Sequence, residues 1–116
     1  MPKNMQMGMG RKMMGPMMDP RSRFFMALAN DHRLKIIELL KDGEKSSAQL
    51  IEALGLYASI VSRHLTMLRN VGIVAARKEG VSLYFRLADE RVLTLVDLSG
   101  DIIKNWYDQN RELFNF

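Results

Sequence analysis

The chain has 116 residues, no cysteine and a formal net charge of +4, which fits one domain that buries a core without disulfides. The lack of cysteine excludes disulfides, thiolate metal sites and cysteine nucleophiles, and it fits a reducing compartment. No apolar run approaches the roughly 18 residues that a membrane-spanning helix needs, and no signal peptide is visible. We therefore expect a soluble, cytoplasmic protein that does not contact a membrane.

The positive charge is concentrated in one segment of the chain. Residues 57–86 contain five Lys or Arg residues and a single acid, Glu79, and their net charge of +4 equals the excess of the whole chain. The charges elsewhere therefore balance. A basic segment of this kind favours a polyanionic partner such as a nucleic acid.

The first 20 residues differ in composition from the rest of the chain. They hold eight of the ten methionines and all three prolines, and they show no helical or strand periodicity. We predict a flexible tail over residues 1–20 that ends at Asp19-Pro20, followed by one domain over residues 21–116.

Two short helices are predicted at the start of the domain. The first covers about residues 21–29, where apolar side chains recur at helical spacing. These side chains are Phe24, Phe25 and Leu28. The second begins at a cap formed by Asn30 or Asp31 and is stopped by Gly43. Its inward side chains are expected to be Leu34, Ile37 and Leu40.

A helix-turn-helix pattern follows. A third helix, capped by Ser46 or Ser47, is predicted to end at Gly55, and a fourth helix over about 58–71 begins two or three residues later. Two short helices joined by a tight turn that contains glycine are the helix-turn-helix motif. The fourth helix is expected to pack on the core through Val61, Leu65, Leu68 and Val71.

A basic hairpin and a long helix complete the predicted fold. Residues 73–77 and 82–87 are predicted as strands around a turn at 78–80, and apolar residues alternate in the second strand, so that one face packs. A basic hairpin directly after a helix-turn-helix is a wing. Asp89 is expected to cap a last helix that runs to about Leu113. The prediction is a mainly α fold with a small β-hairpin wing (α+β), a winged helix-turn-helix with five helices.

The fourth helix has a polar face with hydroxyl groups and two arginines. The N–H groups and macrodipole at a helix N-terminus favour phosphate, hydroxyls bond phosphates or base edges, and arginine pairs with guanine. We therefore predict contacts to double-stranded DNA, although a solvated face is the alternative when these residues are considered alone. The predicted contacts are Tyr57, Ala58, Ser59, Ser62, Arg63, Thr66 and Arg69. His64 is interpreted as a hydrogen-bonding group or a phosphate contact rather than a metal ligand, because His32 is its single candidate partner.

Four stretches resemble the ArsR/SmtB family of winged-helix repressors, in order and over about residues 21–90. They are FFMALANDHRLKIIELL, LIEALGL, SIVSRHLTMLRNVGIV and EGVSLYFRLAD. The resemblance implies a homodimeric repressor that is released from its operator by an inducer, with the fourth helix in the major groove. Two-fold symmetry then predicts an inverted repeat with half-sites about one helical turn apart or more.

The resemblance also implies roles for the wing and the outer helices. The wing is expected to contact the DNA backbone or minor groove through Arg77, Lys78, Ser82 and Tyr84. The first and last helices are expected to form the dimer interface through Phe24, Phe25, Leu28, Leu95, Leu98, Ile102, Ile103 and Trp106.

The metal sites of many family members are not matched here. Ser46 and Ala48 stand where the third helix would hold a Cys-x-Cys pair, and of the ligand set on the last helix only Asp97 is kept. No cofactor is predicted, and no metal is expected from these positions. An organic effector between the first and last helices, near Phe24, Phe25, Trp106 and Tyr107, is a further hypothesis, with plain dimer core as its alternative.

The tail methionines give one more hypothesis about sensing. Met5, Met7 and Met9 form a Met-x-Met-x-Met sequence, and thioethers suit soft ions such as Cu(I) or Ag(I). Packing of the tail on the dimer is the favoured alternative, and methionine oxidation is a third.

The function predicted from the sequence is that of a homodimeric DNA-binding transcriptional repressor with an unidentified effector. The alternatives are a winged-helix module that binds protein, and a repressor that senses Cu(I) or Ag(I) through its tail. No enzymatic function is predicted, because no catalytic triad, pocket-like carboxylate pair or glycine-rich phosphate loop occurs in the sequence.

Overall fold

Residues 19–114 are described by the structure, a computed structural model. The elements in chain order are α1 (Pro20–Leu28), α2 (Asp31–Leu39), β1 (Lys45–Ser46), α3 (Ser47–Leu54), α4 (Ala58–Asn70), β2 (Val74–Glu79), β3 (Ser82–Leu87), α5 (Arg91–Gln109) and a 3₁₀ turn (Arg111–Phe114). The winged helix-turn-helix with five α-helices is confirmed. The tail prediction, with the candidate ligands Met5, Met7 and Met9, lies outside the described residues, except that Asp19 and Pro20 begin α1.

Side-chain caps determine where four of the helices begin. Asp19 and Asn30 accept amide protons at the starts of α1 and α2. Ser46 and Gln49 form a reciprocal capping box at α3, and Asp89 accepts the amide proton of the first residue of α5. Each such cap stabilises a helix by about 1 kcal/mol. The predicted caps at Asn30 and Ser46 are therefore confirmed, and Asp89 bonds the start of α5 from one position before its N-cap residue, Glu90.

The wing belongs to a three-stranded antiparallel sheet with the order β1–β3–β2. The pairing of β2 with β3 places Glu79 opposite Ser82, so the turn consists of Gly80 and Val81 rather than residues 78–80. Gly80 has a φ of +63°, which is the left-handed conformation that a two-residue hairpin turn requires at its first position. The strand β1 was not predicted, because two residues carry no periodicity.

The core lies between the helix-turn-helix, α2 and the inner face of the sheet. Its buried apolar residues are Ala27, Ile36, Ile37, Leu40, Leu50, Val61, Leu65, Leu68, Ile73, Val74, Phe85, Leu87 and Val92. The predicted inward position of Leu34 is wrong, because Leu34 is 36% exposed while Ile36 is fully buried. The buried face of α2 follows the spacing 33, 36, 37 and 40, one position away from Leu34. Leu83 is also exposed, because it lies in the part of β3 near the wing tip.

The helix α5 is the least buried of the α-helices in the described chain relative to its length. It has 19 residues, and Val92 is its single buried residue. It ends at Gln109, four residues before the predicted end at Leu113, and is followed by the 3₁₀ turn. A helix with so little contact in its own chain needs packing from another surface to be stable.

Candidate nucleic-acid interface

The helix-turn-helix consists of α3, three connecting residues and α4. Gly55 ends α3 with a φ of +66°, in the left-handed region that glycine adopts without strain. The helix α4 begins at Ala58 and is held on the core by the buried side chains of Val61, Leu65 and Leu68. Its opposite face is therefore directed to solvent.

The N-terminus of α4 differs from the starts of the other four α-helices within residues 19–114. A side-chain oxygen accepts an amide proton at each of those starts, but none does so at α4. The N-cap residue Tyr57 is 80% exposed. The amides of Ala58 and Ser59 have no acceptor in the described chain, and the macrodipole adds partial positive charge there. This terminus is suited to bind a phosphate.

Seven residues predicted to contact DNA lie together at the start and on the solvent face of α4. They are all exposed: Tyr57, Ala58, Ser59, Ser62, Arg63, Thr66 and Arg69. The Thr66 hydroxyl donates to the carbonyl oxygen of Ser62 at 2.9 Å. No hydrogen bond or ion pair joins Arg63 or Arg69 to another residue in the range 19–114, so both guanidinium groups are available to a ligand. Contact of this face with DNA stays a prediction.

His64 lies on a different flank of α4. At 100° per residue it is roughly 160° around the helix from Thr66, beside the stripe of core residues. It is half-buried, and its Nδ1 lies 3.1 Å from Nη1 of Arg33. Burial, followed by the charges of Arg33, His32 and Arg63, lowers the pKa of His64 below its ordinary value. His64 is therefore a hydrogen-bonding group that faces α2, and a DNA contact through its Nε2 stays a prediction.

Arg33 is the one residue of this region that sequence reasoning missed. It is 7% exposed, and its Nε donates to the carbonyl oxygen of Ala27 at 2.6 Å. Its Nη2 donates to the carbonyl oxygen of Met26, and its Nη1 also contacts Sδ of Met67 at 3.2 Å. The available signal was its position three and four residues before Ile36 and Ile37, on the buried face of α2.

The wing arginine is already bonded within the domain. Arg77 donates from Nε and Nη2 to the two carboxylate oxygens of Glu44, both at 2.8 Å, and from Nη1 to Glu79 at 2.7 Å. Its guanidinium also lies 4.6 Å from the centre of the Tyr84 ring. The hydrogen bonds that Arg77 donates to Glu44 and then to Glu79 raise the pKa of Arg77, and Arg77 lowers the pKa of Glu44. Arg77 is thus bonded within the wing, and its predicted contact with DNA stays a prediction.

The other predicted wing contacts differ in exposure. Lys78 is exposed and has no ion pair with a described residue. Ser82 and Tyr84 are half-buried, and Arg77 covers a face of the Tyr84 ring. The turn residue Val81 is 98% exposed and forms the tip of the wing. Lys78 is therefore the wing residue whose charge is most accessible to a phosphate.

The predicted interface residues form an apolar surface on α1 and α5. Phe25, Leu98, Ile102, Ile103 and Trp106 are about half exposed or more, and Ile102 reaches 61%. The remaining three, Phe24, Leu28 and Leu95, are half-buried. Exposed apolar side chains of this size on the surface of two helices are typical of a protein interface.

A groove of about 460 Å³ lies between α2 and α5. Its apolar floor is formed by Leu34, Ile37, Leu93 and Val96, and charged side chains of α2 and Asp97 surround it. The aromatic residues predicted to line an effector pocket are not part of this groove, so that hypothesis stays a prediction. Within residues 19–114, no group of three His, Asp or Glu side chains could hold a metal ion, and no helix there is long and apolar enough to cross a membrane.

The fold and the exposed face of α4 define the class of winged helix-turn-helix proteins. The family described as "Bacterial regulatory protein, arsR family" matches residues 30–76. The chain is 33% identical, with a TM-score of 0.70, to the solution structure of a "homodimeric winged helix-turn-helix DNA-binding domain" from Mycobacterium bovis, described as "a possible ArsR-family transcriptional regulator". The match covers 85% of this chain and 90% of that one. The chain belongs to the ArsR family of bacterial regulatory proteins.

Two curated relatives are longer than this chain. The chain is 41% identical over 81 residues to the "Probable mercury resistance operon repressor" of Streptomyces lividans, covering 70% of this chain and 65% of that protein. It is 38% identical over 82 residues to the "HTH-type transcriptional regulator Rv0324" of Mycobacterium tuberculosis, covering 71% of this chain and 36% of that protein. The chain therefore spans less than two thirds of the length of either relative.

Proposed function

We propose that this protein is a homodimeric transcriptional repressor that binds an inverted-repeat operator and leaves it when an effector binds. The observation that carries the proposal is the N-terminus of α4, where two amides and the exposed hydroxyl of Ser59 have no internal acceptor. These groups match the chemistry of a DNA phosphate. Arg63, one turn further along α4, is in position to reach a base edge when the terminus is docked in the major groove.

Self-association is supported by the surface that α5 leaves exposed. The helix has apolar residues along its length, and three of them, Leu98, Ile102 and Ile103, are more than half exposed within residues 19–114. Burial of about 25 cal/mol for each Å² of apolar surface would stabilise a second copy packed on this face. The relative from M. bovis is described as homodimeric, which supports the same arrangement here.

The effector remains a separate part of the proposal. The relative from S. lividans is named for mercury resistance, but this chain has no cysteine to offer a thiolate to a soft metal ion. The soft donors that it does have are methionines, so Met5, Met7 and Met9 stay candidate ligands for Cu(I) or Ag(I). A cytoplasmic location and the division into a tail and one domain are part of the same proposal.

A titration with DNA from upstream of the protein's own gene tests the proposal. The full chain is mixed with that duplex and with a scrambled duplex of equal length, at several salt concentrations. We expect tighter binding to the upstream duplex, and a logarithmic salt slope of about 0.9 for each phosphate contacted. Binding that does not change with salt concentration, or that is equal for both duplexes, contradicts sequence-specific DNA binding. Either result favours the alternative of a winged-helix module that binds protein.

A further inference from the structure

Arg33 links three helices from a buried position. Its guanidinium bonds the carbonyl groups of Met26 and Ala27 in the last turn of α1, and it also bonds His64 on α4. No carboxylate pairs with it in the described part of the chain. A buried cation costs free energy unless hydrogen bonds replace its water, and here carbonyls at the negative end of α1 and an imidazole nitrogen do so.

We propose that Arg33 is a positioning residue for DNA binding, because it fixes the orientation of α4 relative to α1 by bonding both helices at once. The inference rests on the proposed function, in which α1 belongs to the dimer interface and α4 contacts the operator. In a dimer, the distance and tilt between the two α4 helices determine which half-site spacing fits. Arg33 therefore acts on operator affinity without contacting DNA.

The geometry of the guanidinium explains why arginine fits this position. Its donors form a rigid planar fork, so Nε and Nη2 are directed to α1 while Nη1 is directed to α4. A lysine ammonium at the same place is a single point on a flexible chain and cannot hold both helices with the same rigidity. The substitution Arg33→Lys keeps the charge and removes the link, that is, the hydrogen bonds by which residue 33 joins α1 to His64 on α4.

The link requires a neutral His64. Arg33 has no lone pair to offer, so Nδ1 of His64 must accept and its proton must be on Nε2. The charged or titratable groups that act on His64 are Arg33 and His32 on α2 and Arg63 on α4. Protonation of Nδ1 places two donors against each other and breaks the bond. Because the pKa is lowered in the folded state, the unfolded chain takes up the proton first, and the linked state loses stability as pH falls below about 6.5.

This link and a phosphate contact by His64 predict opposite effects of pH. A protonated His64 that contacted a phosphate would gain attraction, so DNA binding would tighten as pH falls. A His64 that holds Arg33 would lose its bond, and binding to the operator would weaken. The sign of the change therefore separates the two roles.

The experiment measures the dissociation constants of the full chain for the upstream duplex and for a scrambled duplex, at about pH 8 and about pH 5.5. We expect wild type to bind the upstream duplex more weakly at the lower pH, by up to about tenfold, the effect of one hydrogen bond to a charged group. His64→Asn, whose side-chain oxygen can accept from Arg33 without titrating, should bind the upstream duplex with the same affinity at the two pH values. His32→Gln is the matched control: because His64 is kept, it should still lose affinity at the lower pH, with the loss moved to a higher pH since the charge of His32 no longer lowers the pKa of His64.

A second variant tests the other end of the link. Arg33→Lys should weaken binding to the upstream duplex about tenfold at pH 8 and should flatten the pH profile, with circular dichroism and sedimentation confirming a folded dimer. Tighter binding of wild type at low pH, the same profile in His64→Asn and wild type, or wild-type affinity in Arg33→Lys overturns the inference. A wild type that does not prefer the upstream duplex at pH 8 contradicts the proposed function itself.

Discussion

The solvent face of α4 and the hairpin of β2 and β3 carry the same net charge in the sequence. They differ in whether their arginines are paired with other residues of the described chain. On α4, Arg63 and Arg69 have no partner within the described chain, and the helix terminus is uncapped. On the hairpin, Arg77 is bonded through all three guanidinium nitrogens to Glu44 and Glu79. A count of charges along a chain therefore does not measure the charge offered to a ligand, because tertiary partners neutralise part of it.

The largest expected effect concerns the proposed dimer, in which two copies of both regions would lie on one DNA. Trp106→Ala should dissociate the dimer, since loss of a large buried aromatic costs about 3–5 kcal/mol. Sedimentation velocity at micromolar concentration measures this directly. Val81→Ala, at the wing tip and far along the chain from α5, is the control and should stay dimeric. A Trp106→Ala protein that remains a dimer contradicts the assignment of α5 to the interface.

The next largest effect is expected from removal of Arg63, compared with removal of Arg77. Arg63→Ala should weaken operator binding by about 1–3 kcal/mol if this residue pairs with a base, and its preference over a scrambled duplex should shrink. Arg77→Ala should weaken operator binding less, because Arg77 is engaged with carboxylates. Arg91→Ala, which removes an exposed arginine at the start of α5, controls for net charge. Equal binding by Arg63→Ala and wild type would place the recognition surface elsewhere on α4.

Release of Arg77 from its carboxylate partner should increase DNA binding by the wing. Glu44→Gln removes the first carboxylate that holds Arg77, so the guanidinium gains freedom to meet a phosphate. We expect stronger binding to any duplex and a logarithmic salt slope that rises by up to about 0.9. Glu52→Gln removes the same charge from an exposed position on α3 and should leave the slope unchanged. If both variants behave alike, only net charge matters and the paired state of Arg77 is irrelevant to DNA binding.

The smallest effect is expected at Lys78. Lys78→Ala should weaken binding to all duplexes alike and lower the salt slope by about 1, as loss of a single phosphate contact does. The ratio of affinities for operator and scrambled DNA should not change. A changed ratio would mean that the wing takes part in sequence recognition.

Much of the fold could be predicted because it follows from local rules. The caps at Asn30, Ser46 and Asp89 and the stop at Gly55 depend on residues within one turn of each other. The apolar stripe of α4 likewise follows from helical periodicity. The prediction that Leu34 faces the core was wrong because two faces of α2, offset by one residue, are both rich in apolar side chains. Only packing against the rest of the domain decides which of the two faces is buried.

The parts that could not be predicted depend on contacts between distant residues. Glu44 and Arg77 are 33 positions apart and meet because β1 pairs with β3. Arg33 and His64 are 31 positions apart and meet because α2 packs beside α4. In the sequence both arginines look like ordinary surface cations. Their partners can be found only when the strands and helices are in place.

One titration tests whether the exposed face of α4 or the wing reads the operator. Wild type, Arg63→Ala and Arg77→Ala are titrated side by side with the upstream duplex and a scrambled duplex at a single salt concentration. We expect Arg63→Ala to lose most of its preference for the upstream duplex and Arg77→Ala to keep it. If Arg77→Ala loses the preference while Arg63→Ala keeps it, the wing rather than the exposed face of α4 reads the operator.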